Sequence, residues 1–138
     1  MRRITHIVVH CSATPEGRVH TAADIRAWHK AKGWKDIGYH WIIRIDGTIE
    51  PGRPEPVVGA HVEGHNSYTI GVVYVGGVAK DSLQPKDTRT AAQKASMLDL
   101  LGDLKRRFPK AEILGHRDFP NVAKACPSFG AKTEYAQL

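Results

Sequence analysis

The chain has 138 residues, 41% hydrophobic and 25% charged, a globular balance that excludes a disordered tail or a fibrous repeat and suits one ordinary core. Twenty Lys and Arg against 14 Asp and Glu give a formal charge of +6, with eight His besides, so an acidic partner is expected: nucleic acid, an anionic membrane or a bacterial wall polymer. The two cysteines, Cys11 and Cys126, are too few for a small disulfide scaffold, although one bridge between them is open, and no run reaches the roughly 20 apolar residues of a bilayer span.

After Met1 the apolar run is short and interrupted by His6 and His10, which does not make a signal-peptide core. Synthesis in the cytoplasm is the expectation. Ile4 to His10 has the β-branched density of a buried strand, with His10 at its carboxyl end, and Ser12 to Pro15 turns the chain into a polar loop reaching His20. Thr21, with Asp24 three residues on, predicts a capped helix whose apolar face holds Ile25 and Trp28, stopped at Gly33. Tyr39 to Ile45 reads as a strand, Asp46-Gly47 as a tight turn and Thr48 to Glu50 as the return strand.

Pro51 to Ser67 is a long connection carrying His61 and His65, a length typical of functional loops. Ile70 to Val75 reads as a central strand ended by Gly76-Gly77. From Asp87 to Phe108 the residues Ala91, Ala95, Leu98, Leu101, Leu104 and Phe108 recur at helical steps, which predicts one long helix with that stripe buried. Ala111 to Leu114 adds a short strand, and the remainder from Gly115 reads as loop with a brief terminal tail. The order of elements implies an α/β fold, a single domain over 1–138 with a mixed central β-sheet flanked by helices. Ligands in such sheets gather beyond the carboxyl ends of strands, where both His10 and His116 would arrive.

His10, His116 and Cys126 offer imidazole nitrogens and a sulfur, the donor types of a three-ligand zinc site with an open fourth position. Residue types alone leave this open, because a strand-end His is commonly a hydrogen-bonded edge residue and a lone Cys a small buried apolar side chain. Cys11 follows His10 directly, so in a strand the two side chains take opposite faces, and Cys11 is expected in the core. The three tryptophans, Trp28, Trp34 and Trp41, read as core or helix-packing residues.

Several islands in order, Ile7-Val8-Val9-His10-Cys11-Ser12-Ala13-Thr14, Trp28-His29, Gly33-Trp34, Asp36-Ile37-Gly38-Tyr39-His40, Asp46-Gly47-Thr48, Val75-Gly76-Gly77 and Lys124-Ala125-Cys126-Pro127-Ser128-Phe129, span nearly the whole chain. Together they resemble the zinc-dependent N-acetylmuramoyl-L-alanine amidases of the second type, the family of amidase-type phage lysozymes and peptidoglycan recognition proteins. The resemblance implies one Zn2+ in a surface groove, held by His10, His116 and Cys126, with Tyr39 and Lys124 as catalytic side chains. It implies hydrolysis of the amide joining the lactyl group of N-acetylmuramic acid to L-alanine. His61 resembles a position lining the family's groove and Asn66 lies nearby, which makes both candidates for substrate contact, while His40 alternates with Tyr39 and is expected in the core.

Zinc chemistry supplies hydroxide at neutral pH, Lys124 an ammonium for the tetrahedral oxyanion, and Tyr39 a hydroxyl to donate a hydrogen bond or move a proton. Asp118 is a candidate partner for the second nitrogen of His116, or a loop cap. The alternative is a peptidoglycan-binding module that does not cut; such relatives lack the Cys ligand, so Cys126 favours the enzyme. Nucleic-acid binding is not expected, since neither a basic helix nor an aromatic stacking strip accompanies the charge. The expected partner is bacterial peptidoglycan, reached by a monomer without membrane insertion after release from the cell, as for a phage or prophage endolysin.

Overall fold

The computed structural model describes residues 2–120, 122 and 124–138. In chain order its elements are β1 (His6–Cys11), β2 (Thr14–Pro15), α1 (Ala22–Ala31), β3 (Trp41–Ile43), β4 (Ile49–Pro51), β5 (Thr69–Tyr74), β6 (Gly77–Val78), α2 (Ala91–Arg107), β7 (Glu112–Gly115) and α3 (Ala131–Glu134). Short 3-10 turns lie at Asn66–Tyr68 and His116–Asp118. A run of β-branched residues in β1 leaves Ile7, Val8 and Val9 without solvent exposure, the mark of a strand covered on both faces. Accordingly β1 is flanked by β5 and β7, both parallel to it. β5 also pairs in parallel with β3, and β3 pairs antiparallel with β4 through the predicted Asp46-Gly47 turn. The sheet order is β4-β3-β5-β1-β7, a mixed sheet, while β2 and β6 form a separate pair.

One face of the sheet, with Ile7, Val9, Ile70, Val72 and Tyr74, packs against Met97, Leu101 and Leu104 of α2. On the other side Ile42, Val73 and Val75 pack with Ala22 and Ile25 of α1, and Val8 with Val62, Leu114 and Phe119. Each such fully buried aliphatic side chain contributes about 1.5–3 kcal/mol of transfer free energy. No helix among the described residues is long and apolar enough to cross a membrane.

The Thr21–Asp24 capping box forms as expected, with Asp24 N–H donating to Thr21 Oγ1 and Thr21 N–H to Asp24 Oδ2. The buried side of α1 is Ala22, Ile25 and His29, whereas Trp28 stands 39% exposed with its ring edge against His20. Trp34 is likewise exposed, and Trp41 is half-buried with its indole N–H on Glu55. Trp41 thus packs against the main core, as expected, whereas Trp28 and Trp34 are exposed.

α2 begins at Ala91, capped by Thr90 with Gln93. Its buried side is Gln93, Met97, Leu100, Leu101 and Leu104, so the expected stripe holds at Leu101 and Leu104 and fails toward the helix start, where Ala91 and Ala95 are exposed and Leu98 is 51% exposed. Gln93 lies on that buried side. Its side-chain amide donates to the carbonyls of Ile43 and Val75, a buried polar role that hydropathy cannot anticipate.

The described residues after Gly115 include a 3-10 turn and α3, where the sequence suggests loop. Ala131 and Tyr135 of the α3 region join the main core, and Phe129 lies 3.4 Å below the buried Arg89 guanidinium. Arg89 in turn donates to Asp87, Glu134 and Tyr135. The Tyr74 hydroxyl donates to the carbonyl of Pro127 (2.6 Å) and Ser128 Oγ to that of Gly77 (2.8 Å). These bonds hold the segment that follows Cys126 against the sheet.

Candidate active site

Val9 of β1 pairs with Gly115 of β7, so His10 and His116 follow side by side where the two strands end. Their ring centroids lie 4.7 Å apart. Alternation along β1 sends Val9 and Cys11 to the α2 core and His10 to the other face, so Cys11 is buried away from the imidazoles. Cys126 is brought in from the far end of the chain. Arg117 N–H donates to its carbonyl (2.9 Å), and Cys11 N–H donates to its Sγ (3.2 Å). Both cysteines are free thiols.

One donor atom from each of His10, His116 and Cys126 lies within 4.8 Å of the others. Cys126 Sγ is 3.9 Å from His10 Nδ1. Tetrahedral zinc with ordinary Zn–N and Zn–S lengths separates two such donors by about 3.6 Å, so the residues fit this ion with little adjustment. The other nitrogen of His10, Nε2, is 2.8 Å from His61 Nδ1.

Desolvation, then the charges of His61, His116 and Lys124, holds His10 well below its usual pKa, so its imidazole is neutral at pH 7. His116 is lowered by burial and by the Lys124 ammonium, which places that charge within electrostatic reach of the cluster. The contact with Cys11, together with burial, pushes the Cys126 thiol above its ordinary range. A coordinated metal deprotonates such a thiol outright.

Tyr39 is set between two histidines of structural use. His29 Nδ1 accepts the N–H of Gly38 (2.8 Å), and His40 Nδ1 accepts that of Gly71 (3.0 Å). Gly38 must be glycine, because a Cβ there would lie 2.1 Å from the carbonyl oxygen of Ala60. The Tyr39 ring centroid is 5.0 Å from that of His10. Burial and the neighbouring thiols push its hydroxyl well above the usual phenol value, so it is a proton donor and not a base at neutral pH.

Beside the cluster runs a groove of about 690 Å³, lined by His116 and Lys124 together with His61, Asn66, Trp34, Glu63 and His65. His61 and Asn66, the candidates for substrate contact, lie on the groove wall. Much of their bonding capacity is turned inward, however. Asn66 Oδ1 accepts the N–H groups of His61 (2.9 Å) and Val62 (2.8 Å), and His61 Nε2 is 3.1 Å from Thr69 Oγ1. Asp118 caps the Gly115 N–H (2.8 Å), the bland role foreseen for it. Sequence reasoning passed over Trp34, Glu63 and His65 as groove residues, and Thr69 entirely; as single polar or aromatic residues in or beside loops they carried no spacing signal.

The N-acetylmuramoyl-L-alanine amidase family model matches residues 1–129. The chain belongs to this family. The amidase is 47% identical to the endolysin of Enterobacteria phage K11 over 122 residues, 88% of this chain and 78% of that protein. It is 44% identical to the endolysin of Escherichia phage T7 over 126 residues, covering 91% and 82% of the two chains. Among solved structures, the N-acetylmuramoyl-L-alanine amidase LysC from Clostridium intestinale superposes with a TM-score of 0.78 at 29% identity, covering 97% of this chain and 83% of that one. The amidase is therefore a peptidoglycan hydrolase of the endolysin kind, and the binding-only alternative falls away.

Proposed function

We propose that the amidase is zinc-dependent, with His10 Nδ1, His116 and Cys126 Sγ as ligands and with the adjoining groove as the seat of the peptidoglycan stem. The observation that carries this reading is the convergence of two imidazoles and a thiol within 4.8 Å at the groove's edge. Zinc bound there supplies a Lewis acid and a water acidified to a pKa of about 7.

The chain's own residues divide the remaining work. Lys124, on the groove wall beside His116, brings an ammonium to the oxygen that becomes negative when the amide carbonyl is attacked. Tyr39, kept protonated by burial, donates its hydroxyl to the same oxygen or to the departing L-alanine nitrogen. Solvent is the source of the attacking water, since the groove is open. Asn66 and His61 shape the wall that faces the stem peptide. The catalytic domain takes in the whole of 1–138, a reading supported by Ala131 and Tyr135, which lie past the matched residues and inside the main core. Its partner is peptidoglycan, engaged by a monomer at the wall after release from the producing cell.

Metal analysis and wall digestion on one preparation test the proposal. Activity with newly released L-alanine amino termini should disappear on chelation and return with zinc, and Cys126→Ser should lose both metal and activity. Full zinc content and activity in Cys126→Ser would refute the ligand set.

A further inference from the structure

His61 stands 51 residues from His10 in sequence, yet its Nδ1 meets His10 Nε2 at 2.8 Å. The ring occupies a slot that two glycines leave open. A Cβ on Gly71 would lie 2.7 Å from His61 Cγ, and one on Gly59 would lie 3.0 Å from its Cδ2. The backbone is held as well, because Asn66 Oδ1 accepts the N–H groups of both His61 and Val62. Ring and backbone are thus both fixed before any ligand arrives.

The direction of the hydrogen bonds follows from the far end of this chain of groups. The His65 carbonyl oxygen can only accept, and it lies 2.9 Å from the Thr69 hydroxyl, which has one proton to give. Thr69 is fully buried, so that proton has no competing use in water. Thr69 Oγ1 therefore accepts from His61 Nε2–H at 3.1 Å. A neutral imidazole carries one proton, which makes His61 Nδ1 an acceptor and His10 Nε2–H the donor to it. His10 Nδ1 is left with its lone pair bare, on the side of Cys126 Sγ at 3.9 Å.

We propose that His61, set by Thr69, is the positioning residue that locks His10 in the one tautomer able to ligate the metal through Nδ1. This rests on His10 being a zinc ligand. Ligating imidazoles usually give their second N–H to a carboxylate, a carbonyl or water. Here a neutral imidazole takes it, which orients the ring without adding a negative charge beside the metal. The role also explains why His61 lines the groove while both of its nitrogens are spent inside the protein.

The test combines tautomer and affinity measurements. Nitrogen-15 NMR of the metal-free wild-type protein should find His61 and His10 each protonated at Nε2 and bare at Nδ1, a result that needs neither zinc nor activity. Competition against a chelator should show zinc affinity about 10- to 100-fold weaker in His61→Leu, and largely restored in His61→Asn, whose side-chain oxygen can stand where Nδ1 stood. Thr69→Val should let the proton of His61 move between its nitrogens and weaken zinc in the same direction.

A proton on His61 Nδ1 in the wild type overturns the proposal even if every variant fails to fold. Zinc affinity unchanged in a folded His61→Leu overturns it while leaving the ligand set intact. A wild-type protein that binds no zinc removes the ligand set itself, and this role with it.

Discussion

Loading the metal-free amidase with zinc should release an unusually small number of protons. At about pH 6 a free imidazole of ordinary pKa is about three-quarters protonated and a thiol is fully so. An unperturbed pair of histidines and a cysteine would then surrender about 2.5 protons to a metal. In the folded site His10 is already neutral, because its burial among His61, His116 and Lys124 disfavours the imidazolium. His116 is lowered too, so it holds less than its ordinary share, and Cys126, raised by Cys11 and by burial, holds one whole proton. The expected release is between about 1 and 1.8 protons, and water acidified to a pKa near 7 adds only about 0.1. Calorimetric titration with zinc in two buffers of different ionisation enthalpy reads this number directly. A release of 2.5 or more would mean that the imidazoles are not held neutral, and the account of the site's electrostatics would be wrong. The same reasoning gives the sign of the pH effect: affinity falls in acid, first through the thiol and only later through the histidines.

Tyr39→Phe and Lys124→Ala should each keep stoichiometric zinc while wall digestion slows on the order of a hundredfold, and metal loss in both would make them structural instead. The metal-free protein should lose stability as pH falls from about 6.5 toward 4. Burial lowers His29 to about 4 and His61 to about 3, so below the unfolded imidazole pKa the unfolded chain takes up protons that the folded one refuses. Each such group steepens the loss by at most about 1.4 kcal/mol per pH unit, less for His29 because solvent screens it, and a flat denaturation midpoint across that range would contradict the burial of these rings. Binding to purified wall should weaken as salt is raised, since a net charge of +6 on a polyanionic surface is screened over about 10 Å at 0.1 M salt; salt-independent binding would assign recognition to the groove alone.

Where local chemistry decides structure, the reading of the chain agrees with the fold. The Thr21–Asp24 cap, the Asp46-Gly47 turn and the buried runs at Ile7 and Ile70 each depend on neighbours a few residues away. The face of α2 follows the expected stripe at Leu101 and Leu104 and departs from it toward the helix start, where the buried place is taken by Gln93, whose amide donates to carbonyls 18 and 50 residues distant. The tryptophans show the same limit in the opposite sense. Trp28 and Trp34 are apolar in composition yet exposed, since α1 turns its Ile25 and His29 side inward and Trp34 forms part of the groove wall.

The site divides along a similar line. Residue types alone leave His10, His116 and Cys126 open, since a strand-end His and a lone Cys have common structural uses; the resemblance of the ordered motifs to the family is what names them, with Tyr39 and Lys124, as candidates. Their common location was a matter for tertiary structure: parallel pairing of β1 with β7 sets the two histidines side by side, and the clipping of Pro127, Ser128 and Phe129 returns the sulfur to them. Which nitrogen of His10 is free, and what His61 does, were decided there alone. A hydrogen bond between residues 51 apart leaves no periodicity or motif in a sequence, and its direction depends on a buried threonine whose partners exist only in the folded chain.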